Sequence, residues 1–170
     1  MNIRPEKPDD YDQIYLVNKT AFNSDYEPKL VDRLRKSSWV TPQLSIVAEK
    51  EGEVIGHSLF SEVEIVAEDG YDTIILSLGP VAVLPEYQGQ GIGGKLIRAG
   101  IIKARELGYK AVVLVGHPSY YLRFGFVPAY PEGIETSLEV PDEAFMVLEL
   151  QPGALGRIKG MIHYPPEWEL

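Results

Sequence analysis

The sequence contains no cysteine, and this absence excludes several kinds of chemistry. Without thiols the chain can form no disulfide, no thiolate metal site and no covalent thiol intermediate. Its three histidines, His57, His117 and His163, are far apart, and no spacing of histidine and carboxylate is typical of a metal site. The sequence therefore predicts a protein that holds no metal.

Long apolar runs and a positive net charge are missing as well. No segment approaches the roughly 20 apolar residues of a membrane span, and the polar N-terminus, MNIRPEKPDD, lacks the apolar stretch of a signal peptide. We therefore expect a cytoplasmic protein that does not associate with a membrane. The net charge of −9 argues against nucleic-acid binding, because that function needs a basic surface.

The residues that are present are those of an ordinary folded domain. Hydrophobic residues make up 45% of the chain and charged residues 24%, and 170 residues are enough to enclose a hydrophobic core. No internal repeat or linker interrupts the chain. We predict a single domain over residues 1–150, with residues 151–170 as a tail that packs on this domain or extends it.

Apolar periodicity predicts two helices and a β-hairpin in the first part of the chain. A short strand begins residues 3–22, and a helix capped near Asp9 follows it. Residues 27–37 form a second, short helix. Two strands within residues 44–66 flank the turn Glu51-Gly52 and form the hairpin. The side chains predicted to face inward from the two helices are Ile14, Val17, Ala21, Leu30, Val31 and Leu34.

The rest of the chain predicts buried strands around one long helix, which indicates a mixed α/β fold. Residues 71–84 are almost wholly apolar, as in a strand that is buried on both faces. Residues 92–109 read as a helix that ends at Gly108, and its predicted inward positions are Ile92, Leu96, Ala99 and Ile102. The remaining predictions are a buried strand at 110–116, a helical turn at 119–124, a strand that begins within 125–130 and a last strand at 143–152. The stretch 153–170 has no assignment.

The segment PEYQGQGIGGKL, residues 85–96, matches three phosphate-binding patterns fully or nearly. Gly89, Gly91 and Gly94 form the dinucleotide pattern G-x-G-x-x-G, and Gly89, Gly94 and Lys95 form a P-loop that lacks its last residue. Gln88, Gly91 and Gly93 form Q-x-x-G-x-G, the pyrophosphate loop of acyl-coenzyme A transferases. All three patterns use glycines to turn backbone N–H groups toward an anion where a helix begins.

Two of these interpretations fail on neighbouring residues. A P-loop needs a serine or threonine for Mg²⁺ after the lysine, whereas this chain has Leu96. A dinucleotide site needs glycines directly after the strand and an acidic residue at the end of the next strand. Here LPEYQ separates Val83 from Gly89, and the next strand ends in Gly116 and His117. A turn without a ligand would not require four glycines in six residues.

The third interpretation agrees with more of the chain. The segment LGPVAVLPEYQGQGIGGKLI resembles the signature of the GNAT superfamily of N-acetyltransferases, and SYYLRFGFVPAY is similar to the Y-x-x-x-G-F segment of that family. The resemblance covers residues 1–150 and is nearest to a bacterial branch of predicted acetyltransferases. It implies a mixed α/β fold with a mostly antiparallel sheet, a splayed parallel strand pair and flanking helices.

The resemblance also implies where acetyl-coenzyme A (acetyl-CoA) binds. The backbone from Gln88 to Gly94 holds the pyrophosphate, and Lys95 adds charge if it is not simply an exposed helix lysine. The strand before the loop contacts pantetheine through its backbone, and an N–H near Val81 polarises the acetyl carbonyl. The predicted cofactor-binding residues are Val81, Ala82, Val83, Gln88, Gly89, Gln90, Gly91, Ile92, Gly93, Gly94, Lys95, His117 and Tyr121.

The implied reaction is attack of an amine on the thioester, with Tyr121 as the general acid. Tyr121 is four residues before Gly125, as the family pattern requires; the alternative is a packed aromatic side chain. Glu62 and Glu64 share a strand face and are candidates for the base, although a solvated carboxylate is a poor base for an ammonium ion. His117 lies near the expected cofactor, at a point where several family members carry an asparagine.

The acceptor is less defined than the donor. The resemblance places its site at residues 22–38 and the late hairpin, where no motif identifies it beyond a small-molecule or peptide amine. A homodimer is compatible with the family. A non-catalytic sensor or scaffold that binds acyl-CoA is the alternative function, because a fold does not by itself imply chemistry.

Overall fold

A computed structural model describes residues 1–169 and shows nine strands and four α-helices within them, joined by short 3-10 turns. The helices are α1 (Tyr11–Phe22), α2 (Tyr26–Arg35), α3 (Ile92–Glu106) and α4 (Pro118–Tyr121). The strands are β1 (Asn2–Pro5), β2 (Ser45–Lys50), β3 (Glu53–Val66), β4 (Thr73–Val83), β5 (Ala111–Val115), β6 (Val127–Pro128), β7 (Ile134–Thr136), β8 (Phe145–Glu149) and β9 (Gly160–His163).

These elements form two units. The first unit comprises Met1–Ser61, Leu78–Lys103 and the C-terminal segment that begins at Pro166, and the second comprises Glu62–Ser77 and Ala104–Pro165. The chain passes from one unit to the other within β3, β4 and α3. None of the helices among residues 1–169 combines the length and the apolarity that a bilayer crossing requires.

The first unit contains the predicted hairpin. β2 pairs antiparallel with β3, from Ser45 opposite Leu59 to Lys50 opposite Glu53, and β1 pairs antiparallel with the other edge of β2. The turn residues Glu51 and Gly52 both have positive φ, 52° and 81°. Two such residues give the twist that a two-residue hairpin needs, so the predicted turn is confirmed.

Helices α1 and α2 pack on this unit through the predicted side chains. Ile14, Val17, Leu30, Val31 and Leu34 are all at most 2% exposed and form a cluster with apolar residues of β2, β3 and β4. Ala21 is partly buried against the same cluster. The C-terminal segment also lies on α2: the Tyr26 hydroxyl donates to the Trp168 carbonyl at 2.7 Å.

One predicted core residue of α3 is wrong. Ile102 is 56% exposed, whereas Ile101 beside it is 7% exposed and Ile97 is fully buried. Apolar residues occupy two adjacent lines of positions along the surface of this helix. In its C-terminal half, periodicity alone therefore assigns the wrong line of side chains to the core. The buried line continues through Gly100, which has no side chain to contribute to an apolar pattern.

A line of buried polar side chains joins the strands and helices of the first unit. The fully buried His57 has Asn18 Nδ2 at 3.1 Å from Nδ1 and Ser45 Oγ at 2.9 Å from Nε2. Ser45 in turn bonds the Glu6 carboxylate, which accepts from Arg35 Nε at 2.7 Å. Since the Asn18 amide nitrogen can only donate, Nδ1 accepts and Nε2 carries the proton toward Ser45. Burial, with a smaller contribution from Arg35, lowers the pKa of His57 to about 3, so this histidine is neutral.

The second unit contains the parallel strand pair. β4 pairs parallel with β5 at Leu76–Val112 and Ser77–Val113, whereas β5 and β6 both pair antiparallel with β8. The predicted mixed α/β fold, with a mostly antiparallel sheet and one parallel pair, is thereby confirmed. The helical turn predicted at 119–124 is also present, as α4 followed by the 3-10 turn Leu122–Phe124.

The strand predicted within 143–152 is present as β8, but it is not the last strand, because β9 follows it in the stretch that had no assignment. β9 pairs antiparallel with β3, where Ile162 lies opposite Ile65, and parallel with β7, where Met161 lies opposite Glu135. Both partners are distant in the sequence and β9 is only four residues long, so local periodicity carries little information about it.

Candidate functional site

The backbone before α3 has the geometry of an anion-binding loop. Gly89 and Gly91 have φ of 77° and 81°, in the left-handed region that other residues rarely adopt. The Lys95 N–H donates to the Gly91 carbonyl at 3.2 Å, which is the first hydrogen bond of the helix. The N–H groups of Ile92, Gly93 and Gly94 precede that bond, so the helix does not use them. With the helix dipole, they make a site that fits a pyrophosphate.

Side chains fix this loop in place within the first unit. The Gln88 amide donates to the Val83 carbonyl at 2.9 Å, which joins the loop to the end of β4. Ile92 and Leu96 are 5% and 0% exposed and anchor the first turns of α3 in the core. Gln90 and Lys95 are exposed. The leucine that replaces the P-loop hydroxyl residue therefore serves as a core residue.

The strand segment that enters the loop alternates in burial. Ala82 is 1% exposed, whereas Val81 and Val83 on the opposite side are half-buried. The Gly79-Pro80 peptide bond just before them is cis. Proline has no N–H, so the nitrogen of Pro80 cannot donate a hydrogen bond to a neighbouring strand at this point of β4.

Tyr121 lies among aromatic rings of the second unit. Its ring centroid is 5.0 Å from that of Tyr120, 6.1 Å from that of Phe124 and 5.9 Å from that of Phe126. Burial, with a smaller contribution from Tyr120, raises the pKa of Tyr121 to about 12. The phenol is therefore protonated at neutral pH and able to donate a hydrogen bond to a developing anion.

Tyr120 differs from its neighbour in its partners. The Arg123 guanidinium lies 4.6 Å from the centre of its ring, and Arg123 Nε donates to the Tyr120 carbonyl at 2.9 Å. The two tyrosine rings meet edge to face, with an interplanar angle of 83°. The two phenols thus lie in different surroundings.

The other predicted side chains of the second unit have mixed environments. Glu62 and Glu64 lie on the half-exposed face of β3, and the Tyr109 hydroxyl donates to Glu62 at 2.6 Å. The side chain of His117 is exposed, while its carbonyl accepts from the Tyr121 N–H at 3.2 Å and starts the turn of α4. Among residues 1–169 no group of three histidine or acidic side chains is arranged to hold a metal ion.

Sequence patterns missed two residues that surround the predicted catalytic side chains. Tyr109 orients Glu62 from a position 47 residues along the chain. Gly116 lies under the Tyr121 ring, with no space for a side chain between them. Nothing in the neighbouring sequence indicates the contact of Gly116 with Tyr121 or that of Tyr109 with Glu62.

Comparison with known proteins agrees with this arrangement of elements. A family model described as an acetyltransferase (GNAT) domain matches residues 2–129. The uncharacterised N-acetyltransferase YhbS of Escherichia coli is 36% identical over 164 residues, which is 96% of each chain. The uncharacterised N-acetyltransferase YjhQ of the same organism is 39% identical over 136 residues, which cover 79% of this chain and 74% of YjhQ.

Two solved structures are similar over nearly the whole chain. The E. coli YhbS structure in complex with CoA has a TM-score of 0.91 at 35% identity, and the match covers 99% of this chain and 92% of YhbS. A Brucella melitensis GNAT family acetyltransferase in complex with acetyl-CoA has a TM-score of 0.80 at 38% identity. That match covers 99% of this chain and 97% of the Brucella protein.

Proposed function

Since this chain belongs to the GNAT family of acetyltransferases, we propose that it transfers the acetyl group of acetyl-CoA to the amine of a small molecule or peptide. The family makes it an acetyl-CoA-dependent acetyltransferase rather than the sensor or scaffold of the alternative hypothesis. The observation that carries the proposal is the start of α3, where the N–H groups of Ile92, Gly93 and Gly94 precede the first helical hydrogen bond. Solved relatives hold CoA or acetyl-CoA.

The loop and the end of β4 are the proposed donor site. The backbone of Gln88 to Gly94 binds the pyrophosphate, because its N–H groups and the dipole of α3 favour an anion there. The backbone of Val81, Ala82 and Val83 contacts the pantetheine arm, next to Pro80, whose nitrogen has no hydrogen to donate. Lys95, exposed in the first turn of α3, adds positive charge near the phosphates.

In the proposed reaction, the neutral amine nitrogen attacks the thioester carbonyl carbon and a tetrahedral intermediate forms. The C–S bond then breaks, the sulfur leaves with the electron pair as a thiolate, and the nitrogen loses a proton to a base. Glu62, which Tyr109 orients, and Glu64 are the proposed bases, directly or through water. His117 remains a proposed cofactor contact.

Tyr121 is the proposed donor to the leaving sulfur. Its pKa of about 12 lies above the ordinary thiol value of about 8.5, so complete proton transfer to a thiolate is uphill by roughly 5 kcal/mol. Stabilisation of the developing thiolate by a hydrogen bond is therefore the main effect, and the thiolate is then protonated from water. The raised pKa makes the phenol a weaker acid but keeps it protonated, and able to donate this hydrogen bond, over the whole ordinary pH range.

Calorimetric titration of the purified protein with acetyl-CoA tests the donor site, with NAD and ATP as controls. We expect saturable binding of acetyl-CoA and no binding of NAD or ATP. An amine panel with detection of the released thiol then tests transfer. Binding without amine-dependent thiol release would support the sensor instead, and binding of a control alone would overturn the proposal. A cytoplasmic location, a homodimer and a single domain with a C-terminal tail stay predictions.

A further inference from the structure

Gly116 lies between β5 and α4, directly beneath the ring of Tyr121. A Cβ added to Gly116 would come within 2.4 Å of Tyr121 Cε2 and 2.9 Å of Cδ2. Real side chains do not approach this closely, so any residue other than glycine would force the ring to move. The φ of Gly116 is outside the left-handed region. The backbone itself therefore accepts alanine, and the steric conflict with Tyr121 is what requires glycine.

Both partners in this contact have further contacts within the second unit. The Gly116 N–H donates to the Ala144 carbonyl at 2.9 Å, which holds the backbone in place. Phe126, which is fully buried, and Phe124 have ring centroids 5.9 Å and 6.1 Å from that of Tyr121. A Cβ on Gly116 would therefore change the position of the Tyr121 ring within this aromatic group.

We propose that Gly116 is a positioning residue, whose missing side chain places the Tyr121 phenol for donation to the leaving sulfur. This inference rests on the proposed role of Tyr121. A displacement of the ring by about 1 Å is enough to lower turnover by up to a hundredfold without loss of substrate binding. The alternative is that Gly116 only relieves crowding, in which case its replacement changes stability and leaves turnover intact.

The test is a double-mutant cycle of Gly116→Ala and Tyr121→Ala, with Gly156→Ala as the matched control. Gly156 belongs to the same unit, its φ is also outside the left-handed region, and a Cβ there would meet nothing within 4 Å. We expect Gly116→Ala to lower kcat at least about tenfold, with the Kd of acetyl-CoA changed less than about twofold. Gly156→Ala should leave both parameters unchanged. In the Tyr121→Ala background, where no ring remains, Gly116→Ala should lower kcat no further.

Stability measurements separate this inference from the proposed function. The Tm of the wild type, the two single variants and the double variant should be measured. Gly116→Ala should lower the Tm of the wild type but not that of Tyr121→Ala, and this result does not depend on the activity of any variant. Should Gly116→Ala fail to fold, the double variant should fold again. An unchanged kcat in Gly116→Ala, or equal kcat losses in both backgrounds, would overturn the inference. If the Tm values are coupled but Tyr121→Ala keeps full turnover, the proposed acid is wrong and the positioning role falls with it.

Discussion

The Phe60 ring lies against the backbone of Gly100, so closely that a Cβ on this glycine would be 2.0 Å from Phe60 Cε1. Phe60 belongs to β3 and is fully buried, and Gly100 belongs to the part of α3 that lies in the same unit. The absence of a side chain thus lets α3 approach β3. The N-terminal turn of α3, which is the proposed pyrophosphate site, is carried by this helix.

Gly100→Ala should therefore destabilise the protein. In an exposed helix interior this change normally stabilises by about 1 kcal/mol, because alanine is the better helix former. Here a methyl group would overlap a buried ring, and overpacking of this kind costs roughly 1–3 kcal/mol. Urea unfolding would measure the difference. Gly156→Ala, which adds a methyl group to open space, is the control, and a stabilised Gly100→Ala variant would show that the helix simply shifts.

Gly91→Ala should weaken acetyl-CoA binding at least about tenfold, because a Cβ in the loop disturbs the N–H groups that are proposed to bind the phosphates. Gly108→Ala is a matched control: its φ of 88° is close to the 81° of Gly91, and both sites have open space for a Cβ. Both variants should lose about 1 kcal/mol of stability to the left-handed conformation. In titration calorimetry, Gly108→Ala should bind acetyl-CoA with wild-type affinity, whereas Gly91→Ala should not. Equal affinities in both variants would contradict the proposed loop.

Tyr121→Phe should lower kcat about a hundredfold, within the range of general acid contributions, and leave acetyl-CoA binding nearly unchanged. The ring and its contacts are kept, so the loss reports on the hydroxyl alone. Tyr120→Phe is the control and should retain turnover. Because the pKa of Tyr121 is about 12, the phenol should stay protonated and turnover should show no loss from its ionisation up to about pH 10. Full activity of Tyr121→Phe would exclude the acid role.

His57 should make the protein less stable in acid. Its pKa is lowered to about 3 in the folded state, against about 6.5 in an unfolded chain. Between these values the unfolded chain binds one proton more, so the free energy of unfolding falls as the pH falls. The stability contribution is complete above pH 6.5 and is lost progressively toward pH 3.

His57→Gln should remove this pH dependence. From pH 7 to pH 5, the wild type should lose about 2 kcal/mol more of its free energy of unfolding than the variant does. Urea titrations at the two pH values measure both losses. His163→Gln, at an exposed histidine, should retain the wild-type dependence. Parallel curves for wild type and His57→Gln would mean that this histidine binds its proton with the same pKa in the folded and unfolded chains, and would contradict the lowered pKa.

The sequence predicted those parts of the fold that depend on residues close together in the chain. The Glu51-Gly52 turn follows from residues that tolerate positive φ, and the inward face of α2 follows from Leu30, Val31 and Leu34 at helical spacing. β9 was missed because its four residues are held by pairing with β3 and β7. Ile102 was misassigned because two lines of α3 are apolar, and the packing partner selects between them.

Some features of the proposed site likewise follow from local sequence, and others depend on the tertiary structure. Local sequence determined that the chain turns at Gly89 and Gly91 into a helix with unused N–H groups, because backbone freedom and helix termini depend on adjacent residues. Tertiary structure decided that Tyr121 is packed among rings, that Gly116 lies beneath it and that Tyr109 reaches Glu62. Burial, pKa and steric exclusion depend on side chains that are distant in the sequence, and only the folded chain brings those side chains together.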